Sequence, residues 1–525
     1  MTRERVCAIG AVALALCVLF AGVRWGSTVA GGSDSYGYVS QAGLWRQGTL
    51  TIHQDVVGEF AWPFAHQTWT PLGYVPAGDS PDAIVPSYAP GFPLLMMLAQ
   101  IVGGYCAAFF VVPICGALTV WSTYELSRRV FGRPAVALGG ALLVAASPVF
   151  IFQLMIPMSD VPVTAAWTLA LVLAAANRPL SAGLAAAAAV AIRPNLAPLA
   201  MVLLVWLAVT RPSHIVRAAI GVAPAVIGIA CLNARLYGSP FRSGYGSLDD
   251  IYAIRHLPTN VRQFTEWTMD VQTPIVALAA LSFVAPRWMP ARVPAARLLL
   301  GGTIAVILGS YLFYRPFDAW WYLRFLLPMW PVLMLLTVVG LTAIACRWTG
   351  RLHPIVVAVV LLGLTLYGVR VAVARHGLDT AIGERRYAAI GRFLAHLTDR
   401  NAVVLSMQHS GSIRLYADRL TLRYDLLDPA WLDRAVEQLR AAGRHPYIVL
   451  DEFEEPAFRK QFGAVSPIGA IDWQPIAIYE LPRVAIYDAI DRANQHPPLV
   501  LGLDYGGGAW RCEPPEIWPP RLRMK

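Results

Sequence analysis

The stretch FLLPMWPVLMLLTVVGLTAIACRWTGRLHPIVVAVVLLGLTLYGVRVAV, residues 325–373, decides the fold. Two apolar runs, 325–346 and 354–373, flank a short turn that carries Arg347 and Arg351. Each run is about the 20 residues that a helix needs to cross the hydrocarbon core of a bilayer. Arg347 and Arg351 in the turn give such a hairpin an orientation, with the turn on the cytoplasmic side. Working outward, the same texture recurs at 6–25, 105–127, 135–152, 161–176, 181–192, 195–210, 214–234, 272–286 and 298–314. Several of these are short for a span, and 92–103 reads as a further, interfacial helix. The fold class expected is a polytopic α-helical membrane protein of about 11 transmembrane helices, followed by a small C-terminal α/β soluble domain.

Composition agrees. The 525 residues are 57% hydrophobic and 14% charged, against about 25% charged in a soluble domain. The net charge of +10 comes largely from arginines in short loops between apolar runs. No basic strip interleaved with aromatics is present, so no nucleic-acid partner is expected. Of the seven cysteines, all but Cys512 lie in or beside apolar runs, and no pair has metal-ligand spacing. They read as small core residues rather than a disulfide framework. Arg3 and Arg5 ahead of an apolar run resemble a signal peptide, but the run continues to Trp25 without a small-x-small cleavage site. It is read as an uncleaved first span.

Charge placement tests this topology. With the N-terminus cytoplasmic, Arg128, Arg129, Arg133, Arg178, Arg211, Arg217, Arg287, Arg292, Arg297, Arg347 and Arg351 all fall inside. The acidic residues up to position 373 fall outside, apart from Glu4 and Glu125. That is the positive-inside pattern, with an external C-terminus. The outer loops are 26–91, rich in Trp, Tyr, Pro and Asp; 237–271; and RPFDAWWYLR at 315–324. Long loops tend to be functional, so chemistry is expected on the outer face.

After Arg375 the texture changes. ERRYAAIGRFLAHL (384–397) has helical periodicity, and AVVLS (402–406) and YIVL (447–450) are short buried strands. DPAWLDRAVEQLRAAG (428–443) reads as an amphipathic helix with an Asp cap, and WQPIAIYE and VAIYD as a closing pair of strands. This alternation suggests a three-layer α/β domain over 376–525. GLDYGGGAWR (502–511), in a Pro- and Gly-rich tail, reads as a flexible end rather than a nucleotide site.

Five motifs carry a resemblance. GGSDSYGYVSQA (31–42) follows the first span, then come PSYAPGFPLL (86–95), PMSDVP (157–162), AIRPNLAP (191–198) and WYLRFLLPMWP (321–331). In this order and topology, residues 1–375 resemble the C-type membrane glycosyltransferase superfamily, in the branch of protein O-mannosyltransferases and aminoarabinose transferases. The resemblance implies transfer of a sugar from a polyprenyl-phosphate donor to a glycan, lipid or protein acceptor on the outer face. It also implies a catalytic Asp soon after the first span, the place of Asp34. Many relatives have two adjacent acids there, whereas Asp34 is followed by Ser35.

The chemistry supports the same site. An acceptor attacking an anomeric carbon must lose a proton, and a placed carboxylate can take it for typically 10²–10⁴-fold in rate. The leaving group is an anionic lipid phosphate, which nearby cations stabilise. Asp34 and Asp160 are therefore the catalytic candidates, Arg193 and Arg324 the phosphate-binding ones, and Tyr36, Tyr88, Asp318 and Tyr322 the substrate contacts. One displacement would invert the anomeric carbon. Plainer roles stand beside these: Asp160 as a helix cap, Arg193 in a structural ion pair, Arg324 snorkelling among aromatics, Asp318 paired with Arg315 or Arg324. The sequence does not fix a cofactor, and a divalent metal ion is left open, with His53, His66, Asp55 and Glu59 as loosely spaced ligands. The rival function is a transporter or lipid flippase, favoured by short Pro-interrupted helices but lacking a two-half repeat. A membrane-anchored interaction protein working through residues 380–525 is a third. Abundant Ala, Gly and Arg with little Lys suggest a bacterium, making the outer face the periplasmic side of the inner membrane.

Overall fold

The computed structural model describes residues 2–78, 80–288, 290–493, 496–501 and 512–524. Every apolar run singled out above is helical. Arg3–Trp25, Tyr105–Phe131, Pro212–Tyr237 and the composite Trp320–Ala374 are long and apolar enough to cross a membrane. The composite contains two helices, Trp330–Thr349 and His353–Ala374, joined by the Arg351 turn. Two bent pairs add to these: Pro134–Ala145 with Pro148–Leu154, at 61°, and Ile254–Gln272 with Pro274–Val284, at 109°. Five shorter apolar helices complete the set: Gly91–Gly103, Asp160–Ala175, Pro179–Ile192, Pro194–Thr210 and Ala296–Leu312. The run expected at 272–286 consists of a 3-10 stretch, Pro274–Ala280, and one α-turn, Leu281–Val284. Pro274 after Thr273 with φ +63° enforces that break. Outward-facing apolar side chains such as Val216, Ile220, Ile227, Ile355, Val359 and Leu366 stay exposed along these helices, as expected of a surface solvated by lipid.

Residues 380–501 form an α/β layer structure. Six strands run in the order 420–422, 403–405, 446–451, 483–488, 477–480, 499–501. The first three are mutually parallel, and 477–480 with 483–488, the closing pair read from the sequence, is antiparallel. Side chains alternate across the sheet with period two. Leu405, Ile448, Leu450 and Tyr487 face Leu432–Ala441 and Glu454–Phe462 on one side. Val404, Val449, Val484 and Ile486 face Thr380–Leu397 and the helix Ser410–Ala417 on the other. The Asp428 carboxylate accepts from the Ala430 N–H at 2.9 Å, the cap expected there.

The first long loop is not a free excursion. Its aromatic residues Phe60, Trp62 and Trp69 enter the apolar core on the Leu432 side of that sheet. Its strands 52–54, 74–77 and 80–86 form a second sheet, which Arg523–Met524 from the chain end extends in parallel with 52–54. Here one expectation is corrected. Cys106 and Cys512 form a disulfide, so not all cysteines are plain core residues. The tail over 512–524 is pinned by that disulfide, by the strand, and by Trp518 and Pro520 packed against Gly43. A separation of 406 residues hid the pairing from any spacing argument. The stretch 502–511 itself lies outside the described residues.

Candidate active site

Four breaks in the helical pattern place four charged residues together. Asp34 is the first residue of the helix Asp34–Arg46, just after Gly31–Gly32. Asp160 begins Asp160–Ala175, Arg193 terminates Pro179–Ile192 ahead of Pro194, and Arg324 lies in the 3-10 segment Trp320–Met329. A carboxylate at a helix N-terminus is favoured by the macrodipole, which holds both acids where they sit.

Arg193 Nη2 donates to Asp160 Oδ1 at 2.6 Å. Both Nη atoms of Arg324 donate to Asp34 Oδ2 at 3.1 Å, and Arg324 Nη1 lies 4.0 Å from Asp160 Oδ2. Tyr88 donates to the other Asp34 oxygen, Oδ1, at 2.6 Å, and Ser33 donates to Tyr88 at 2.7 Å. The Tyr88 ring reaches this position only because residue 37 is glycine: a Cβ there would lie 2.3 Å from the ring. The Asp160 side chain is wholly buried, while that of Asp34 is 30% exposed. Two acids and two arginines leave the cluster formally neutral, as burial of charge demands. Among the described residues, Asp160 Oδ2 and Arg324 Nε have no hydrogen-bond partner. Asp160 is not the cap of its helix through its side chain; its carboxylate is turned to the arginines instead.

The cluster lies at one side of a cavity of about 770 Å³. Asp34, Tyr38, Tyr88, Arg193, Tyr322 and Arg324 line it, together with Tyr245 and Tyr252 from the second large loop. Phe325 lies under both guanidinium groups, 5.8 Å from Arg193 and 5.3 Å from Arg324, and stacks on Tyr311. Glu384, Tyr387 and Gln408 close the cavity from the α/β layer. Burial pushes the Glu384 carboxyl up to about 7, with Asp451 adding to the rise and Arg386 opposing it.

Of the residues expected from sequence, Asp34, Asp160, Arg193, Arg324, Tyr88 and Tyr322 meet around this cluster and cavity. Tyr36 does not line the cavity: its ring packs on Gly411 and Tyr74, because alternate faces of the Asp34 helix look towards the cavity and towards the α/β layer. Asp318 is exposed and, among the described residues, pairs with neither Arg315 nor Arg324, since Arg324 is committed to Asp34. The loosely spaced metal ligands disperse. Asp55 pairs with Arg523, Glu59 with Arg444, and His53 lies 3.7 Å from Asp82. Among the described residues no group of three or more His, Cys, Asp or Glu could hold a metal ion. Sequence reading missed Tyr38, whose hydroxyl donates to Ser159 at 3.0 Å, and Tyr311, which accepts from Arg193 at 3.4 Å. It also missed Glu384, Tyr387 and Gln408; only the helical register of Glu384 and Tyr387, one turn apart, marked a shared face.

Comparison with known proteins follows this geometry. Residues 89–237 match the family model described as dolichyl-phosphate-mannose-protein mannosyltransferase. No curated protein matches the chain in sequence. Among solved structures, ArnT from Cupriavidus metallidurans bound to undecaprenyl phosphate superposes with a TM-score of 0.55 at 12% identity, covering 92% of this chain and 97% of that one. The Archaeoglobus fulgidus oligosaccharyltransferase tethered to an acceptor peptide gives 0.51 at 12% identity, covering 89% and 72%. A mutant of the arabinofuranosyltransferase AftD from Mycobacteria gives 0.50 at 16% identity, covering 94% of this chain and 42% of that one. The chain therefore resembles the C-type membrane glycosyltransferases, sharing their fold along most of its length and, over residues 89–237, the sequence pattern of the mannosyltransferase family.

Proposed function

We propose that the protein transfers a single sugar, a hexose or a pentose, from a polyprenyl-phosphate donor to an envelope acceptor, with inversion. The observation that carries this is the largely buried pair of arginines facing two carboxylates at one side of a large cavity. Arg193 and Arg324 hold the donor phosphate. The two N–H bonds that Arg324 makes to Asp34 Oδ2 are those a phosphate takes over, which frees that oxygen for the acceptor. The acceptor oxygen then attacks the anomeric carbon as its proton passes to Asp34. The bond from that carbon to the phosphate oxygen breaks, and polyprenyl phosphate leaves, its charge met by the arginines. Asp160 keeps Arg193 charged and aimed. The undecaprenyl phosphate in the ArnT structure supports a donor of this kind.

The protein is placed in the plasma membrane of a bacterium, crossing eleven times, with the N-terminus inside and residues 376–525 as an external domain. Arginines in the inner turns support this orientation. So does the Cys106–Cys512 disulfide, because such bonds persist on the oxidising side of that membrane. The test is to offer purified protein a labelled undecaprenyl-phosphate sugar with an envelope extract and follow label and lipid together. Transfer to the extract with release of undecaprenyl phosphate is expected. Binding of the lipid without turnover, with movement across vesicles, would favour a flippase and sink the enzyme.

A further inference from the structure

The cavity is electrically lopsided. Its cations, Arg193, Arg324 and Arg315, all come from the membrane-helix part of the chain. The wall contributed by the α/β layer carries the opposite character: the Glu384 carboxylate, the Tyr387 phenol and the Gln408 amide. This wall is locked beside the catalytic loop. A Cβ on Gly31 would lie 2.0 Å from the Tyr387 ring, and one on Gly32 would lie 3.2 Å from Gln408 Nε2. Asp34 follows two residues later.

Arg386, the cation bonded to this wall, is engaged at all three of its nitrogens. Arg386 donates through Nε to Asp451, through Nη1 to the Gly383 carbonyl and through Nη2 to the Tyr387 oxygen. Gln408 Nε2 donates to that same oxygen at 2.7 Å. Two donors occupy the Tyr387 lone pairs, so the phenol has only its own O–H left to give, and no bond among the described residues uses it. What remains is one phenolic donor beside one carboxylate acceptor, with the aromatic faces of Phe317, Trp321 and Tyr322 lining the same cavity. Such a set suits the hydroxyls and the apolar face of a sugar ring. Glu384, Tyr387 and Gln408 hold no cation for a phosphate, and once Glu384 ionises, above about pH 7, its charge repels one.

We infer that Glu384, Tyr387 and Gln408 form the acceptor subsite, and that it takes an uncharged, hydroxyl-rich glycan rather than a phosphorylated acceptor. This rests on the glycosyltransferase reading above. Glu384 accepts from an acceptor hydroxyl, Tyr387 donates to a neighbouring one, and Gln408 holds Tyr387 in place.

The test uses the full-length protein, a labelled undecaprenyl-phosphate sugar, and two probe acceptors: a neutral octyl glycoside and the same glycoside carrying a phosphate. Wild type is expected to prefer the neutral probe. Glu384→Gln should raise its half-saturating concentration about tenfold, Glu384→Asp should recover part of that, and the half-saturating donor concentration should move less than twofold. Carbodiimide labelling of Glu384, read by mass spectrometry, should be blocked by the neutral glycoside and not by undecaprenyl phosphate alone. Preference for the phosphorylated probe, protection by the lipid alone, or parallel loss of donor and acceptor affinity in Glu384→Gln each overturns the assignment. Failure of wild type to bind or consume the donor is a different result, which removes the glycosyltransferase reading and this inference with it.

Discussion

Replacing Asp34 by Asn separates the two things that carboxylate does. The substitution keeps the shape, and the amide oxygen still accepts from Tyr88, but the negative charge and the proton-accepting oxygen are gone. Arg324 loses an anionic partner that it now holds with two hydrogen bonds at 3.1 Å. A phosphate that takes over these Arg324 N–H groups would lie on the order of 6 Å from Asp34, where repulsion at an effective dielectric constant of about 20 is about 3 kcal/mol. Solvent at the partly exposed Asp34 screens this to roughly 1–2 kcal/mol, or about 5–30-fold in affinity. Asp34→Asn is thus expected to bind undecaprenyl phosphate more tightly than wild type while transferring sugar some 10²–10⁴-fold more slowly. Binding is read by calorimetry in detergent, and transfer by label released from the donor. Transfer within tenfold of wild type would refute the role of base. Loss of lipid binding in step with transfer would show instead that Asp34 only holds the site together.

Further expectations follow from other contacts. Asp160→Asn leaves Arg193 buried without its partner at 2.6 Å, a loss of about 3–5 kcal/mol that lowers the melting temperature. Adding Arg193→Met should restore part of that stability, and equal melting points for single and double variants would exclude the coupling. Cys106→Ser should abolish a mobility difference between reduced and non-reduced protein, and should increase proteolysis of the tail after residue 512. Trp69→Ala, which empties a fully buried site between the first loop and the α/β layer, should cost about 3–5 kcal/mol in thermal unfolding. Glu384 keeps its proton in the folded chain up to about pH 7, whereas its ordinary value is 4.5. Its contribution to stability is therefore full below about pH 4.5 and falls as pH rises to 7, by at most about 3 kcal/mol. Comparing pH-dependent melting of wild type and Glu384→Gln isolates that slope.

The helical membrane architecture was legible because lipid imposes a strong local signal: long apolar runs with arginine in their turns. The short apolar runs of the strands at 402–406 and 447–450, and the cap at Asp428, were equally local and stand as read. The charged cluster was half legible. Asp34, Asp160, Arg193 and Arg324 drew notice as charges beside apolar runs, where an ionisable group needs a reason to be. Their pairing was not legible, since it joins residues up to 290 positions apart. Tyr36 was misplaced because the face of a helix cannot be assigned before its neighbours are known. Glu384, Tyr387 and Gln408 escaped because they belong to an unremarkable amphipathic helix and its neighbouring loop, which gain meaning only when the domain closes over the cavity.

The arrangement also answers the absence of a second acid beside Asp34. Ser35 cannot take a proton or balance a cation, so a site that needs two carboxylates must recruit one elsewhere. Arg324 supplies the connection. It donates twice to Asp34 Oδ2 and lies 4.0 Å from Asp160 Oδ2, an oxygen with no hydrogen-bond partner among the described residues. Asp160 is wholly buried and Asp34 is partly open to the cavity, so the proposed mechanism gives the two acids different work. The buried one cannot meet an acceptor and serves to hold both arginines charged and in place. The open one can exchange its guanidinium partner for a proton when phosphate arrives.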